Sequence, residues 1–470
     1  MRCKEALSVA IVALLMLLSS CASYYQRNIK FQEMVVNGKF QEASNWLSKD
    51  KKSKKNRHRL LYLLNKGFVT FMMGNYTESN KLFIEADLLM ENTRANLGEQ
   101  ALALISTPTV KPYVPEDHER VMVHFYTALA FIQQGNMESA LVEARRVNLE
   151  LSDLNNKYKA KKNRYSSDAF AQILMGLAYE RNRDYNNAFV AYRNALETFE
   201  NIYSPVFGVS VPDQLKHDLI RMAKLTGFSD EVEFYQKKFG FNQDIETFDA
   251  SAIIFWSSGF GPVKTQRTIE FYLIPLGSNN YQFLNNILGI NLTLNFGDLN
   301  KDQKAALDAM KVIRLAFPRY LKRVPLFNQA SVQINGEVRP FQLIEPIDLI
   351  AEKTLEDRML RESGQALARL VAKKTLEIAV RSQNKTAGDI TSLAGAISEQ
   401  ADTRNWQTLP AKIYYARIPL KPGNNSIEFN AKSNNGEKTE NTKFEINQVL
   451  KGNLYFINQH SLSTSPPVPF

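Results

Sequence analysis

Five short glycine-centred or polar turns, each flanked by stretches with apolar residues at three- and four-residue steps, constrain this chain more than any other feature. They fall at residues 38, 74, 135, 183 and 227, so the intervals between them are 36, 61, 48 and 44 residues. Around the fourth, Gly176 and Tyr179 precede the turn, and Tyr185, Ala188, Tyr192 and Ala195 follow it. Small residues at Gly176, Ala188 and Ala195 allow two helices to approach closely, with tyrosines filling the space between them. Similar sets recur at Gly67, Gly74, Tyr76, Ser79, Phe83 and Ala86, and at Ala128, Phe131, Gly135, Met137, Ala140 and Ala144. Weaker copies sit at Gly38 with Ala43 and at Gly227-Phe228. A chain patterned in this way is expected to stack helical hairpins.

The pattern resembles the tetratricopeptide repeat, a hairpin of about 34 residues. Its uneven intervals imply degenerate copies with inserted connections, the largest carrying Pro108, Pro112 and Pro115. Near residue 250 the apolar period shifts towards 2: Ala252 to Trp256 and Thr268 to Ile274 read as strands. Asn335-Gly336, between Ser331–Ile334 and Val338–Leu343, is a strong hairpin signal because both residues tolerate positive φ. One long helix is expected from about Pro346 to Ser382, weakened at Gly364. The expected fold class is therefore mainly α, a helical solenoid followed by a smaller α+β module of antiparallel strands with one long helix. The expected domains are 1–20, 21–245 and 246–470.

The N-terminus places Arg2 and Lys4 before an apolar run, Ala6 to Leu18, followed by Ser19-Ser20-Cys21. Thirteen helical residues reach roughly 20 Å, short of the roughly 30 Å hydrocarbon core. The run is thus read as a signal-peptide core rather than a membrane span. Leu18 to Cys21 resembles a bacterial lipobox, which implies cleavage before Cys21 and acylation of its thiol, including palmitate. The alternative is an ordinary secretory cut near Ala22-Ser23. Ala22, rather than Asp, after the cysteine favours the periplasmic face of the outer membrane in proteins that carry such a box.

The only cysteines are Cys3 and Cys21, so no disulfide framework or thiolate metal site is expected in the body. The histidines, His58, His118, His124, His217 and His460, show no paired metal-ligand spacing. A nucleophile elbow, a P-loop and a dinucleotide fingerprint are all missing from the sequence. No catalytic residue, metal or cofactor is therefore assigned. The net charge of +10 suits an anionic surface without naming one, and export argues against nucleic acid as a partner. Basic runs at Lys49–Arg59 and Lys157–Arg164 read as solvated loops, or for the first as a contact with phospholipid head groups.

Three strings, His118–Tyr126 continuing to Arg146, Gly259–Lys264, and Ala401–Ala411, resemble an uncharacterised bacterial tetratricopeptide-repeat lipoprotein family. The resemblance implies an envelope lipoprotein, associates it with activators of peptidoglycan synthases and transfers no catalytic residue. Two charged sets stand out: Glu119 and Arg120 with Glu143, Arg145 and Arg146, where a buried Glu–Arg pair would position a repeat or bind an acidic ligand, and Asp402, Arg404 and Trp406, which would anchor their loop onto the helix or dock a peptide or sugar.

The functional expectation is a membrane-anchored scaffold that binds a protein or peptide through the first helices of its hairpins. Candidate contacts are His124, Thr127, Gln172 and Met175, with Asp402, Arg404 and Trp406 as a second set. Partners are the bilayer, through Cys21, and an envelope protein or peptide. The alternatives are a regulatory accessory of peptidoglycan synthesis and, more distantly, a glycan-processing enzyme.

Overall fold

The computed structural model describes residues 23–50, 56–96, 111–157, 164–241, 250–287, 289–309, 311–359, 367 and 401–470. Cys3, Cys21, the 245/246 boundary and Gly364 lie outside the described residues, as do Pro108 and Lys51 to Lys55.

Five helical hairpins fill the N-terminal half. They pair α1 (Tyr24–Val36) with α2 (Phe40–Lys49), α3 (Arg59–Met72) with α4 (Tyr76–Asn96), and α5 (Asp117–Gln133) with α6 (Met137–Lys157). They continue with α7 (Ala169–Arg181) and α8 (Tyr185–Thr198), then α9 (Asp213–Thr226) and α10 (Ser229–Phe239). After Thr198 the helix runs on through a π turn, Phe199–Tyr203, to Phe207.

All five turns use one device. Gly38, Gly74, Gly135, Arg183 and Gly227 each have positive φ. Each also repeats the bond pair seen where Gly74 N–H donates to Phe71 O at 2.9 Å and Asn75 N–H to Thr70 O at 3.2 Å. This arrangement satisfies the last carbonyls of the first helix and reverses the chain. Seven residues before the turn and nine after it, Gly67 meets Phe83 and Gly176 meets Tyr192. A Cβ on Gly176 would fall 2.4 Å from the Tyr192 ring, and one on Gly67 2.9 Å from Phe83.

The C-terminal half forms three sheets. The first has the order β12 (Leu454–Ser461), β1 (Ala250–Phe260), β9 (Pro410–Leu420), β8 (Gln342–Glu345). The second runs β11 (Thr439–Val449), β10 (Gly423–Ser433), β6 (Phe327–Ile334), β7 (Glu337–Pro340). The third runs β13 (Val468–Pro469), β5 (Val312–Lys322), β2 (Val263–Gly277), β3 (Asn280–Asn285), β4 (Ile290–Asn295), with α11 (Lys301–Ala309) over its apolar face. Asn335 and Gly336, both at positive φ, close the β6–β7 hairpin. The strands are antiparallel as expected, except that β1 pairs with β12 in parallel, Ser251 opposite Leu454.

Strand period places β1 between two layers. Ala252, Ile254 and Trp256 face the second sheet, where Val332, Ile427 and Phe429 meet them. Ile253 and Phe255 face the helices and join a core that begins at Phe31 and includes Trp406, Leu409, Ile413, Tyr415 and Leu454. A fully buried large apolar side chain contributes about 1.5–3 kcal/mol. The dozen residues beyond position 250 in that core therefore bind the halves into one packed body. The described part of the expected long helix is α12, residues 347–359. Its Ile347 and Ile350 enter this shared core, and its Ala351 and Leu355 pack on Tyr320, so it bridges solenoid and sheet.

Candidate functional site

The face made by the first helices of the hairpins is where a solenoid of this kind would hold an extended peptide. Here the chain's own irregular segment 401–409 and the first sheet occupy it. Trp406 is buried against Phe83 and Tyr126, with ring centroids 5.8 and 5.9 Å away. Its backbone N–H donates to Glu119 Oε1 at 2.6 Å, and its Nε1–H donates to Thr408 Oγ1 at 3.0 Å. Thr408 in turn donates to Asn65 Oδ1 at 2.9 Å. Gln32 on α1 donates to Gln407 at 2.8 Å. Further along, Phe170 on α7 lies edge-on to Phe255, and Gln133 on α5 donates to Phe456 O at 3.3 Å.

Arg404 is anchored rather than presented. Its guanidinium grips Asp402 at 2.6 and 2.9 Å, donates to the carbonyls of Arg57 and Lys111, and lies 5.5 Å from the Tyr113 ring. Arg323 ties the same segment down from β5's end, donating to Gly261 O at 2.7 Å, to Gln32 Oε1 at 2.5 Å and to Gln407 O. The donations to the carbonyls of Lys111, Gly261 and Gln407 fix backbone outside the helices and strands.

Some carboxyls buried at the junction are matched by cations and others are not. Glu116, at the start of α5, accepts from Lys264 at 2.5 Å and from Arg358 on α12. Burial would raise its carboxyl, but Arg358 and then Lys264 hold it down at about 2. Its neighbour Glu119 has no such cation. Burial, reinforced by the Glu116 charge, lifts Glu119 to about 7 despite hydrogen bonds from Tyr113, Trp406 N–H and Glu116 N–H.

A second cluster joins α7, α9 and β9. Glu180 accepts from Arg417 at 2.9 and 2.8 Å and from Arg221 at 3.1 Å, while Asp218 lies 3.0 Å from Arg417 Nε and 2.9 Å from Arg221. Burial raises Glu180, and Arg221 and Arg417 overcome it to bring the carboxyl to about 2. A third cluster has two carboxyls and two phenols: Tyr203 in the π turn donates to Glu345 at 2.6 Å, and Tyr165 donates to Asp168. Burial pushes Asp168 up to about 6 and Glu345 well above the usual range.

These placements correct the expected groove. His124 is interior, with Nδ1 2.8 Å from Glu143 on α6 and Nε2 3.7 Å from Asp87 on α4. Thr127 is buried and donates to Val123 O at 2.8 Å. Gln172 reaches Asn148 on α6 at 3.2 Å, and Met175 is a partly buried member of the core wall. Of the four, His124, Thr127 and Gln172 are buried; His124 and Gln172 turn to neighbouring second helices, and Thr127 bonds its own helix. The expected Glu–Arg pair falls within α6, where Arg146 lies 3.6 Å from Glu143, rather than between α5 and α6. Arg146 pairs with Asp87 at 2.5 Å and Glu91 at 3.2 Å on α4, Arg145 donates to Tyr179, and Glu119 serves Trp406.

Glu116, Lys264, Arg358, Glu180, Asp218 and Arg417 were not singled out by the sequence reading, since partners more than 100 residues apart leave no local spacing. One signal was present for α5. Val121-Met122-Val123 and Phe125-Tyr126 are apolar around the whole helix, the mark of a helix covered on every side.

Among the described residues no group of three or more His, Cys, Asp or Glu side chains is placed to hold a metal ion, and no helix is long and apolar enough to cross a membrane.

No family model matches the chain, and no curated protein matches it. Among solved structures, MamA 41-end from Desulfovibrio magneticus RS-1 is similar at 17% identity and a TM-score of 0.29, over 46% of this chain and 89% of that one. A kinesin light chain with nearly identical TPR-like repeats from Podosopora anserina is similar at 16% identity and a TM-score of 0.29, over 46% and 87%. BtubC from P. vanneervenii is similar at 14% identity and a TM-score of 0.29, over 52% and 89%.

Proposed function

We propose that this chain is an envelope lipoprotein, anchored through acylated Cys21, that acts as a protein-binding scaffold through the second helices of its hairpins. One observation carries the reading. The chain's own C-terminal half fills the first-helix face, while α4 and α6, bridged by Arg146, leave large apolar side chains in solvent. Leu88 is 54% exposed, Val142 52% and Leu149 66%, with Ile84 beside Leu88 on α4. Apolar side chains gathered on one exposed face mark a surface for a partner. The buried charge clusters described above each join structural elements, and one of them, Glu180 with Arg221 and Arg417, also lines a cavity of about 150 Å³.

Anchoring rests on the Leu18–Cys21 string and on the position of α1. Ser23 caps that helix, accepting from Gln26 N–H at 3.2 Å, so the first hairpin starts two residues after the acylated position. Two or three acyl chains hold such a protein at a bilayer.

The test is photocrosslinking in living cells with a reactive side chain at position 88, 149 or 127. Partner adducts are expected from 88 and 149, and from 127 only adducts within the chain. Partner adducts from 127 alone would return the binding site to the first helices. Cys21→Ser is expected to abolish palmitate incorporation, and undiminished labelling would refute the anchor.

A further inference from the structure

We propose that a cavity of about 210 Å³ between the third sheet and α12 binds a small amphipathic anion, a carboxylate or phosphate head on a single unbranched tail. Its walls come from four elements: Arg267 on β2, Arg319 on β5, Leu355 and Met359 on α12, and Phe470 after β13. The cavity lies apart from the exposed second-helix face and does not depend on the scaffold reading.

Strand register puts the cations together. Thr265 is opposite Arg319 and Arg267 opposite Phe317, so the two arginines are diagonal neighbours on the face that also carries Ile269, Phe271 and Phe317. The apolar floor of the sheet thus ends in two guanidiniums. On the facing helix, Glu352, Leu355 and Met359 recur at three- and four-residue steps and so share one face, giving the cavity a wall that is apolar at Leu355 and Met359 and acidic at Glu352.

The inner arginine is held in the fold. The Nε–H of Arg267 is buried, with no hydrogen-bond partner among the described residues. That atom has no surface open to the cavity, so a head group would meet the guanidinium through its terminal N–H groups, Arg267 being one of the lining residues. Arg319 is exposed at the mouth, where it would meet the same head group. A planar guanidinium matches carboxylate and phosphate oxygens in two-point fashion, which a neutral alcohol cannot reproduce. Glu352, on the opposite wall, has its carboxyl raised by burial, with Lys353 beside it acting against that shift. The remaining lining is mixed: Leu355, Met359, Pro318, Leu321 and Phe470 offer a tail apolar contact, while Glu356 on the helix wall is already paired with Arg164 at 2.9 Å and Lys353 at 3.2 Å. The volume suits one short chain and excludes a two-chain phospholipid.

The experiment follows the methyl resonance of Met359 in the full chain, held in discs of zwitterionic phosphatidylcholine. Octanoate, octyl phosphate, octanol and acetate are titrated separately. Saturable shifts are expected with octanoate or octyl phosphate, the tighter of the two identifying the head group. At least tenfold weaker binding is expected for octanol, which lacks the charge, and for acetate, which lacks the tail. Arg267→Gln and, independently, the exposed Arg319→Gln should each weaken the anion about tenfold, and Leu355→Phe should weaken it by narrowing the cavity. Because Arg319 lies in solvent, its variant keeps the test valid should Arg267→Gln fail to fold. The proposal is overturned if neither anion moves Met359, if octanol or acetate binds as tightly as octanoate, or if the folded variants bind like wild type.

Discussion

Replacing Gly176 with alanine sets two known effects against each other, and the structure decides which wins. An Ala is worth about 1 kcal/mol more than Gly inside a helix, so propensity alone favours the variant. The new Cβ, however, would lie 2.4 Å from Cε1 of Tyr192, inside any tolerable contact. Tyr192 is buried and cannot swing away freely, because its hydroxyl donates to Glu180 at 2.9 Å and Glu180 is gripped by Arg417 and Arg221. Overpacking of this kind costs about 1–3 kcal/mol, and weakening a hydrogen bond to a charged group about 1.5–3 kcal/mol more. After the propensity gain, Gly176→Ala should lose about 1.5–5 kcal/mol, read as a lower urea midpoint at unchanged m-value. Gly67→Ala, where the contact with Phe83 is 2.9 Å, should lose less. Adding Tyr192→Leu to Gly176→Ala should recover part of the loss through a favourable coupling energy. A Gly176→Ala protein as stable as wild type would refute the close approach of α7 and α8.

Glu116→Gln should destabilise by about 3 kcal/mol in urea unfolding, since it removes the carboxylate shared by buried Lys264 and Arg358; a loss below about 1 kcal/mol would contradict that role. Glu119 bears on pH. Burial holds its carboxyl up at about 7 in the folded chain against an ordinary value of 4.5, so the native state keeps a proton that the unfolded chain releases first. Its contribution is therefore fully present below about pH 4.5 and lost as the pH rises towards 7. Glu119→Gln should flatten urea midpoints across that window; an identical profile would remove Glu119 as the source.

The helical hairpins were legible because a left-handed turn and a close helix contact both demand small residues, and Gly38, Gly74, Gly135 and Gly227 supply the turns. The fourth turn bears Arg183 at positive φ, yet Tyr185, Ala188 and Tyr192 still betray it. Asn335-Gly336 announced its hairpin by the same conformational logic. What covers the first helices was not legible, because pairs such as Glu119–Trp406 and Glu116–Arg358 span hundreds of residues and follow no period. The buried polar residues misled for a physical reason. His124, Thr127 and Gln172 look like groove contacts until their hydrogen bonds within the helices are known.

The account's central claim is that the segment around Trp406 packs into the first helices and makes solenoid and sheets one body. Trp406→Ala tests it, with urea unfolding followed both by helical circular dichroism and by the fluorescence of the remaining tryptophans. Truncating a buried Trp costs about 3–5 kcal/mol. Both probes should shift together to a lower midpoint, because Trp256 in β1 and Trp46 in α2 belong to the two halves so joined. A helical transition that keeps its wild-type midpoint while the fluorescence moves alone would contradict the claim.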